Sequence, residues 1–266
     1  MSCEINQRNQ SLIKHFKTLL PLSIRDRLRF VKRPHYSLLR FYLAYVSSKK
    51  IIKGLFAGML FDVPNFNTAM LIGTWELELN EQISKLLDTK PTKIYCIGAA
   101  EGYYAVGFAK KLPACNVYAF EMQEKYRSFL LNLSTSNNCN NIEIHGECTT
   151  NQLHQFLSND KESSFVFCDI EGGEIDLLDL NKVPDLKRTT ILVEVHEMYV
   201  TDCEKTIIDR FKNTHSYTII RGKERTLQDL PKKLNFLRFI SSPPKILSLM
   251  GEGRPYPMNW LYLEPK

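Results

Sequence analysis

Ile94-Tyr95-Cys96-Ile97-Gly98-Ala99-Ala100-Glu101-Gly102 is the stretch whose reading decides the fold. Four apolar residues run straight into a Gly-x-x-x-Gly turn, and a helix-forming run, Tyr103–Lys111, follows at once. A short apolar run stopped by glycine reads as a buried strand. Glycine lets a backbone approach a ligand closely, and the helix that follows points its free N–H groups into the crevice above the sheet. A dinucleotide fingerprint needs Gly-x-Gly-x-x-Gly, whereas Ala100 and Tyr103 stand at its second and third glycine positions. The NAD reading is weakened accordingly.

The alternation continues downstream. Strands are expected at Asn116–Phe120, Ile142–His145, Phe165–Cys168, Thr190–Val195, Tyr217–Ile220 and Trp260–Leu263. Helices are expected at Glu81–Leu87, Gln123–Leu133, Gln152–Leu157, from about Glu174, and at Thr201–Lys212. Short buried strands separated by helices argue for an α/β, doubly wound, mostly parallel sheet covered on both faces. Residues 222–258 are proline-rich and read as an irregular insert before the last strand. Upstream, residues 11–60 read as helices broken at Pro21 and Pro34, with Leu38, Leu39, Phe41, Tyr42 and Tyr45 forming a packed face. The domain boundaries are set at 1–80 for this helical extension and 81–266 for the sheet domain.

Hydrophobic residues make up 44% of the 266, enough for one α/β domain with an extension, and no apolar run approaches the length of a membrane span. Met1–Gln10 is polar and lacks the apolar core of a signal peptide. The seven cysteines include no Cys-x-x-Cys pair, and Cys96 and Cys168 lie in strand-like runs, as expected of small hydrophobes in a reducing cytoplasm. Residues 1–50 hold eleven Lys and Arg against Glu4 and Asp26, a net +9, while the rest of the chain is slightly acidic. Such an extension suits an anionic membrane surface, a phosphorylated glycan precursor or nucleic acid, and the bland alternative is a solvated helical face. The expected location is therefore cytoplasmic, peripheral to the membrane.

Three further positions carry chemistry. Glu121 ends the second strand, where a carboxylate can accept hydrogen bonds from both hydroxyls of a ribose. With the glycine turn it points to an adenosine-containing ligand. Asp169-Ile170-Glu171-Gly172-Gly173-Glu174 follows the fourth strand with an acidic rim compatible with a sulfonium cation. Glu194 and His196 are two apart on a strand, so they face one side. His196 is the first candidate for a general base, needing a neutral ring and an ordinary pKa near 6.5, and Asp169 is the second. No metal is assigned. A divalent ion held by Asp169, Glu194 and His196 is the lesser alternative to a plain hydrogen-bond network.

Taken together, Gly98–Gly102, Asp169-Ile170-Glu171-Gly172 with Glu174, and Glu194-Val195-His196 resemble the FkbM-type O-methyltransferases, a branch of the class I methyltransferase-like fold. Residues 54–59, 73–79, Arg254-Pro255 and 260–263 are similar too, so the resemblance spans roughly 51–266. It implies S-adenosylmethionine as methyl donor and a small-molecule or glycan hydroxyl as acceptor. Gly98, Ala99 and Gly102 would line its methionine and ribose, Glu121 would take the ribose hydroxyls, and Asp169 would lie beside it. The family's Asp two residues before the first glycine is Cys96 here, and Glu76 or Glu101 would have to substitute. An RNA or other nucleic-acid methyltransferase is disfavoured, since the chain has no Asn-Pro-Pro-Tyr-like motif and no Pro-Cys nucleophile. A non-catalytic binding protein on the same fold is the remaining alternative, kept open by Cys96.

Overall fold

A computed structural model describes residues 34–64, 66–159, 164–254 and 256–266. The expected break at Pro21 and most of the basic extension lie outside the described residues. The chain divides into two compact units, Met1–Val46 and Ser47–Lys266. In the first, Pro34–Val46 is a helix, α1. Of the face expected to be packed, Leu38, Phe41, Tyr42 and Tyr45 are exposed and Leu39 is half-buried, while Leu43 is buried. The helix carries two adjacent apolar stripes, and the sequence does not say which is inward. The stripe Leu39, Leu43 and Val46, spaced by four and three, is the more sheltered. No described helix is long and apolar enough to cross a membrane.

The second unit starts well before the expected boundary at residue 81. Residues 51–60 do not form the expected helix. Gly54 and Gly58 both take positive φ, and the segment folds into turns closed by a bridge between Lys50 and Leu60. This places Phe56 edge-on to Tyr103, Tyr104 and Phe108, with ring centroids 5.4, 5.9 and 5.7 Å away. Gly107 makes room for that ring, since a methyl there would meet it at 2.6 Å. Residues 47–80 thus belong to the core of the domain.

The sheet has seven strands: β1 (Lys93–Ile97), β2 (Asn116–Phe120), β3 (Ile142–His145), β4 (Ser164–Cys168), β5 (Thr190–Val195), β6 (His215–Ile220) and β7 (Asn259–Pro265). Their order is β3-β2-β1-β4-β5-β7-β6. The first five pair in parallel, and β7 runs antiparallel to both β5 and β6. This is the class I methyltransferase-like, doubly wound arrangement anticipated from the sequence. Strand β4 is buried at every residue and β5 at all but its first, as expected of central strands covered by helices.

Register fixes the site. Ile97 pairs with Phe120 on one side and Cys168 on the other, and Cys168 pairs with Val193. The next residues along, Gly98, Glu121, Asp169 and Glu194, therefore stand level at the carboxyl ends of four neighbouring strands. The stretch read as irregular, 222–258, contains two 3₁₀ turns and the helices α2 (Leu237–Ile240) and α3 (Pro243–Met250). Two prolines open α3, where a missing N–H costs nothing. Thr68 and Thr74 hydroxyls donate to the carbonyls of Leu249 and Met250, at 2.6 and 3.0 Å, and tie this stretch to the upstream segment.

Candidate functional site

The strand order reverses between β1 and β4, and in an open α/β sheet that switch point opens a crevice at the carboxyl ends of the strands. On its β1–β2 side lies the glycine turn. Gly98 has φ +82, and a Cβ there would lie 1.7 Å from the Asp169 carbonyl oxygen. The residue is glycine because β4 passes so close, and this seats the turn against Asp169. Gly102 has φ +100 and would drive a Cβ to 2.7 Å from Leu130. Between them the Ala100 N–H donates to Glu121 Oε2 at 3.0 Å, and Gln123 N–H donates to Glu121 Oε1 at 2.8 Å. Glu121 is thus pinned over the turn with 8% of its surface exposed. Each oxygen retains a second acceptor position for a hydroxyl. Burial raises the pKa of Glu101, which lies within electrostatic reach of Glu121.

On the β4–β5 side three carboxylates surround one imidazole, and a fourth reaches the cluster through Arg254. Glu174 is fully buried, and its carboxylate accepts from the backbone N–H of Ile170 at 3.2 Å and of Gly172 at 3.0 Å. It also lies 2.8 Å from His196 Nδ1, which fixes the ring. His196 Nε2 then faces Glu194 Oε2 at 3.0 Å and Asp169 Oδ1 at 3.5 Å. Glu194 is fully buried, while Asp169 has 27% of its side chain exposed and is the opening of the cluster.

The fourth carboxylate comes from Glu76, far upstream. It adopts a left-handed backbone, φ 43, and accepts from the Tyr104 hydroxyl at 2.5 Å. A non-glycine residue held there is strained, which occurs where surroundings over-determine a conformation. Arg254 joins the two halves. It is stacked over Trp75, donates to Glu194 Oε1, and reaches Glu76 Oε1 at 3.3 Å.

Charge crowding sets the proton affinities. Burial first, then the Glu194 charge, pushes Glu76 and Asp169 well above the carboxylate range. For Glu194 burial is outweighed by its contacts with His196, Asp169 and Arg254, and its pKa falls. Burial would lower the His196 pKa, but the bond to Glu174 and the charge of Glu194 outweigh it and raise it to about 10. The neutral ring expected near pH 6.5 is therefore corrected: in the ion-free site His196 is an imidazolium at neutral pH.

The structure brings Gly98, Ala99, Gly102, Glu101 and Glu121 to one side of the crevice, and Glu76, Asp169 and His196 to the other. Cys96 is in mid-strand and buried, with its thiol pKa raised by burial. Of the two acids expected to substitute at Cys96, Glu76 lies within electrostatic reach of Asp169 and Glu194, and Glu101 of Glu121. Sequence reasoning missed the roles of Glu174, Arg254 and Tyr104. Glu174 and Arg254 lie inside quoted motifs. Their pairing with residues 22 and 60 positions away leaves no periodic signal.

No family model and no curated protein sequence matches the chain. Among solved structures it is similar to the O-methyltransferase TomG from Streptomyces achromogenes, at 14% identity, 71% of this chain, 79% of that chain and a TM-score of 0.45. It is similar to an O-methyltransferase from Bacillus cereus at 17% identity, 76% and 93% coverage and a TM-score of 0.44. An rRNA methylase from Streptococcus thermophilus gives 10% identity, 71% and 96% coverage and 0.46. The fold rests on the strand order itself rather than on these distant likenesses.

Proposed function

We propose that the chain is an S-adenosylmethionine-dependent O-methyltransferase of the FkbM type, acting on a hydroxyl of a sugar, glycan or natural product. The observation that supports it most is the level row Gly98, Glu121, Asp169 and Glu194 across the switch point. The residues fit the cofactor. Glu121 is a fixed carboxylate with acceptor positions for two ribose hydroxyls. The carboxyl groups of Glu76, Asp169 and Glu194 line the facing wall, a rim compatible with a cationic donor. When bound, the cofactor supplies a methyl group already activated on a sulfonium.

The chain's own work is then alignment and the management of one proton. Glu121 and the Gly98–Gly102 turn hold the donor on the β1–β2 side. Asp169, the open member of its cluster, meets the acceptor hydroxyl on the other. Asp169 receives the hydroxyl proton, with His196 Nε2 and Glu194 beside it and Glu174 keeping the ring in place.

The test is transfer of a labelled methyl group from S-adenosylmethionine to a panel of sugars, sugar phosphates, glycans and RNA. The expected product is a base-stable ether on a sugar or glycan hydroxyl. Label confined to RNA, or none in any acceptor with folded protein, would overturn the reading.

A further inference from the structure

We propose that Asp169, Glu194 and His196 hold one divalent cation, of the manganese or magnesium class, at the mouth of the crevice. The sequence expectation assigned no metal. What points to one is the way every other polar contact leaves one free atom per residue, all facing the same place. Glu174 occupies His196 Nδ1, so Nε2 is the nitrogen left over. Arg254 occupies Glu194 Oε1, so Oε2 is the oxygen left over. Asp169 offers its carboxylate from the adjoining strand end. One ligand atom from each of the three residues lies within 4.8 Å of the other two.

Glu194 supplies the independent observation. It is completely buried, yet Oε2 has no hydrogen-bond partner. His196 Nε2 is 3.0 Å away but off the line a ring N–H bond would need, so the contact is one of charge rather than a hydrogen bond. A buried carboxylate oxygen left unpaired is costly. A cation between it and Nε2 removes that cost. Buried Glu174 on Nδ1 is also the arrangement that orients a metal-binding imidazole and raises its basicity.

Formal charge agrees. With the ion on Nε2 the His196 ring is neutral, so the formal charges of Glu76, Asp169, Glu174 and Glu194 face Arg254 alone. A divalent ion narrows that excess from three negative charges to one. Two carboxylates and one imidazole are a mixed oxygen and nitrogen set that suits manganese, with magnesium as the harder alternative. Three protein ligands leave positions for the acceptor oxygen and water. A bound ion would polarise a sugar hydroxyl, which is otherwise a weak acid. Ion binding itself does not depend on the methyltransferase reading, but this catalytic role does.

The test is titration of the full chain with manganese alone, without cofactor or acceptor, following loss of the free-ion electron paramagnetic resonance signal. The expected result is one ion per chain, displaced by excess magnesium. Binding should weaken at least tenfold in Asp169→Asn and in His196→Gln, each shown to be folded by circular dichroism, and remain unchanged in the surface variant Asp62→Asn. No retained ion in the wild type, or equal retention in Asp169→Asn and His196→Gln, would overturn the proposal. Ion binding without methyl transfer to any acceptor would leave the ion site standing and remove only the function assigned to it.

Discussion

Glu174 is the residue on which the site's geometry turns. Its one carboxylate gathers two backbone N–H groups and the His196 ring in a place with no water exposure. Removing one partner from a buried ionic set costs about 3–5 kcal/mol, because the remaining charge is stranded. Glu174→Gln preserves shape but not charge, so a loss near the low end, about 3 kcal/mol, is expected in denaturant unfolding. In metal-free protein the His196 ring, followed by proton resonance, should titrate well below the wild-type value of about 10. An unchanged ring pKa in the folded variant would mean Glu174 does not hold the proton there. At this scale the sequence was legible where strand period alone acts. Glu194 and His196 sit two apart and do meet on one side. Glu76 reached the cluster through Arg254 and a left-handed turn, and no local pattern in the sequence encodes that.

Among the elements, the strands were readable almost to the residue. β2, β3 and β5 have the expected bounds: β2 and β5 are mostly apolar runs that turn residues stop sharply, and β3, at the edge of the sheet, alternates Ile142-Glu143-Ile144-His145. The misreadings came where local pattern leaves two solutions. Residues 51–60 are as apolar as a helix, yet two glycines at positive φ fold them into turns. The stretch 222–258 hid a helix behind prolines that in fact start it. Strand β6 begins at His215, two residues earlier than expected, and that histidine has a consequence for stability. Its Nε2 faces the Thr189 carbonyl at 3.1 Å, and its Nδ1 lies 2.9 Å from the Thr214 hydroxyl. Burial lowers its pKa below the usual 6.5. A folded-state pKa below the unfolded one means the unfolded chain binds the extra proton first. The stability His215 confers is complete above about pH 6.5 and lost as pH falls through the folded value. Melting temperature should therefore drop between about pH 6.5 and 5, and less steeply in His215→Gln. Equal slopes in both proteins would clear His215 of that role.

The whole molecule is a sheet domain of residues 47–266 carrying a separate N-terminal unit. Its fold class was legible because strand and helix signals alternate without a gap from residue 93 to residue 220. Its lower boundary was not, because the contacts of Phe56 with Tyr103 and of Thr68 and Thr74 with Leu249 and Met250 are long-range packing that leaves no composition shift. The glycine turn was read as a ligand cradle. The structure adds that Gly98 is demanded first by the backbone of β4, so its presence alone does not argue for a cofactor. Glu121 does, since it is rigid, acidic and aimed over the turn. The account therefore stands most directly on one calorimetric titration, S-adenosylhomocysteine into the wild type and into Glu121→Ala, with NAD as the control. It predicts one bound per wild-type chain and no heat with NAD. The variant should lose about 1.5–3 kcal/mol of affinity, roughly 10- to 160-fold, as expected for hydrogen bonds to a charged group. Folded wild-type protein that ignores S-adenosylhomocysteine, or that binds NAD in its place, would contradict it.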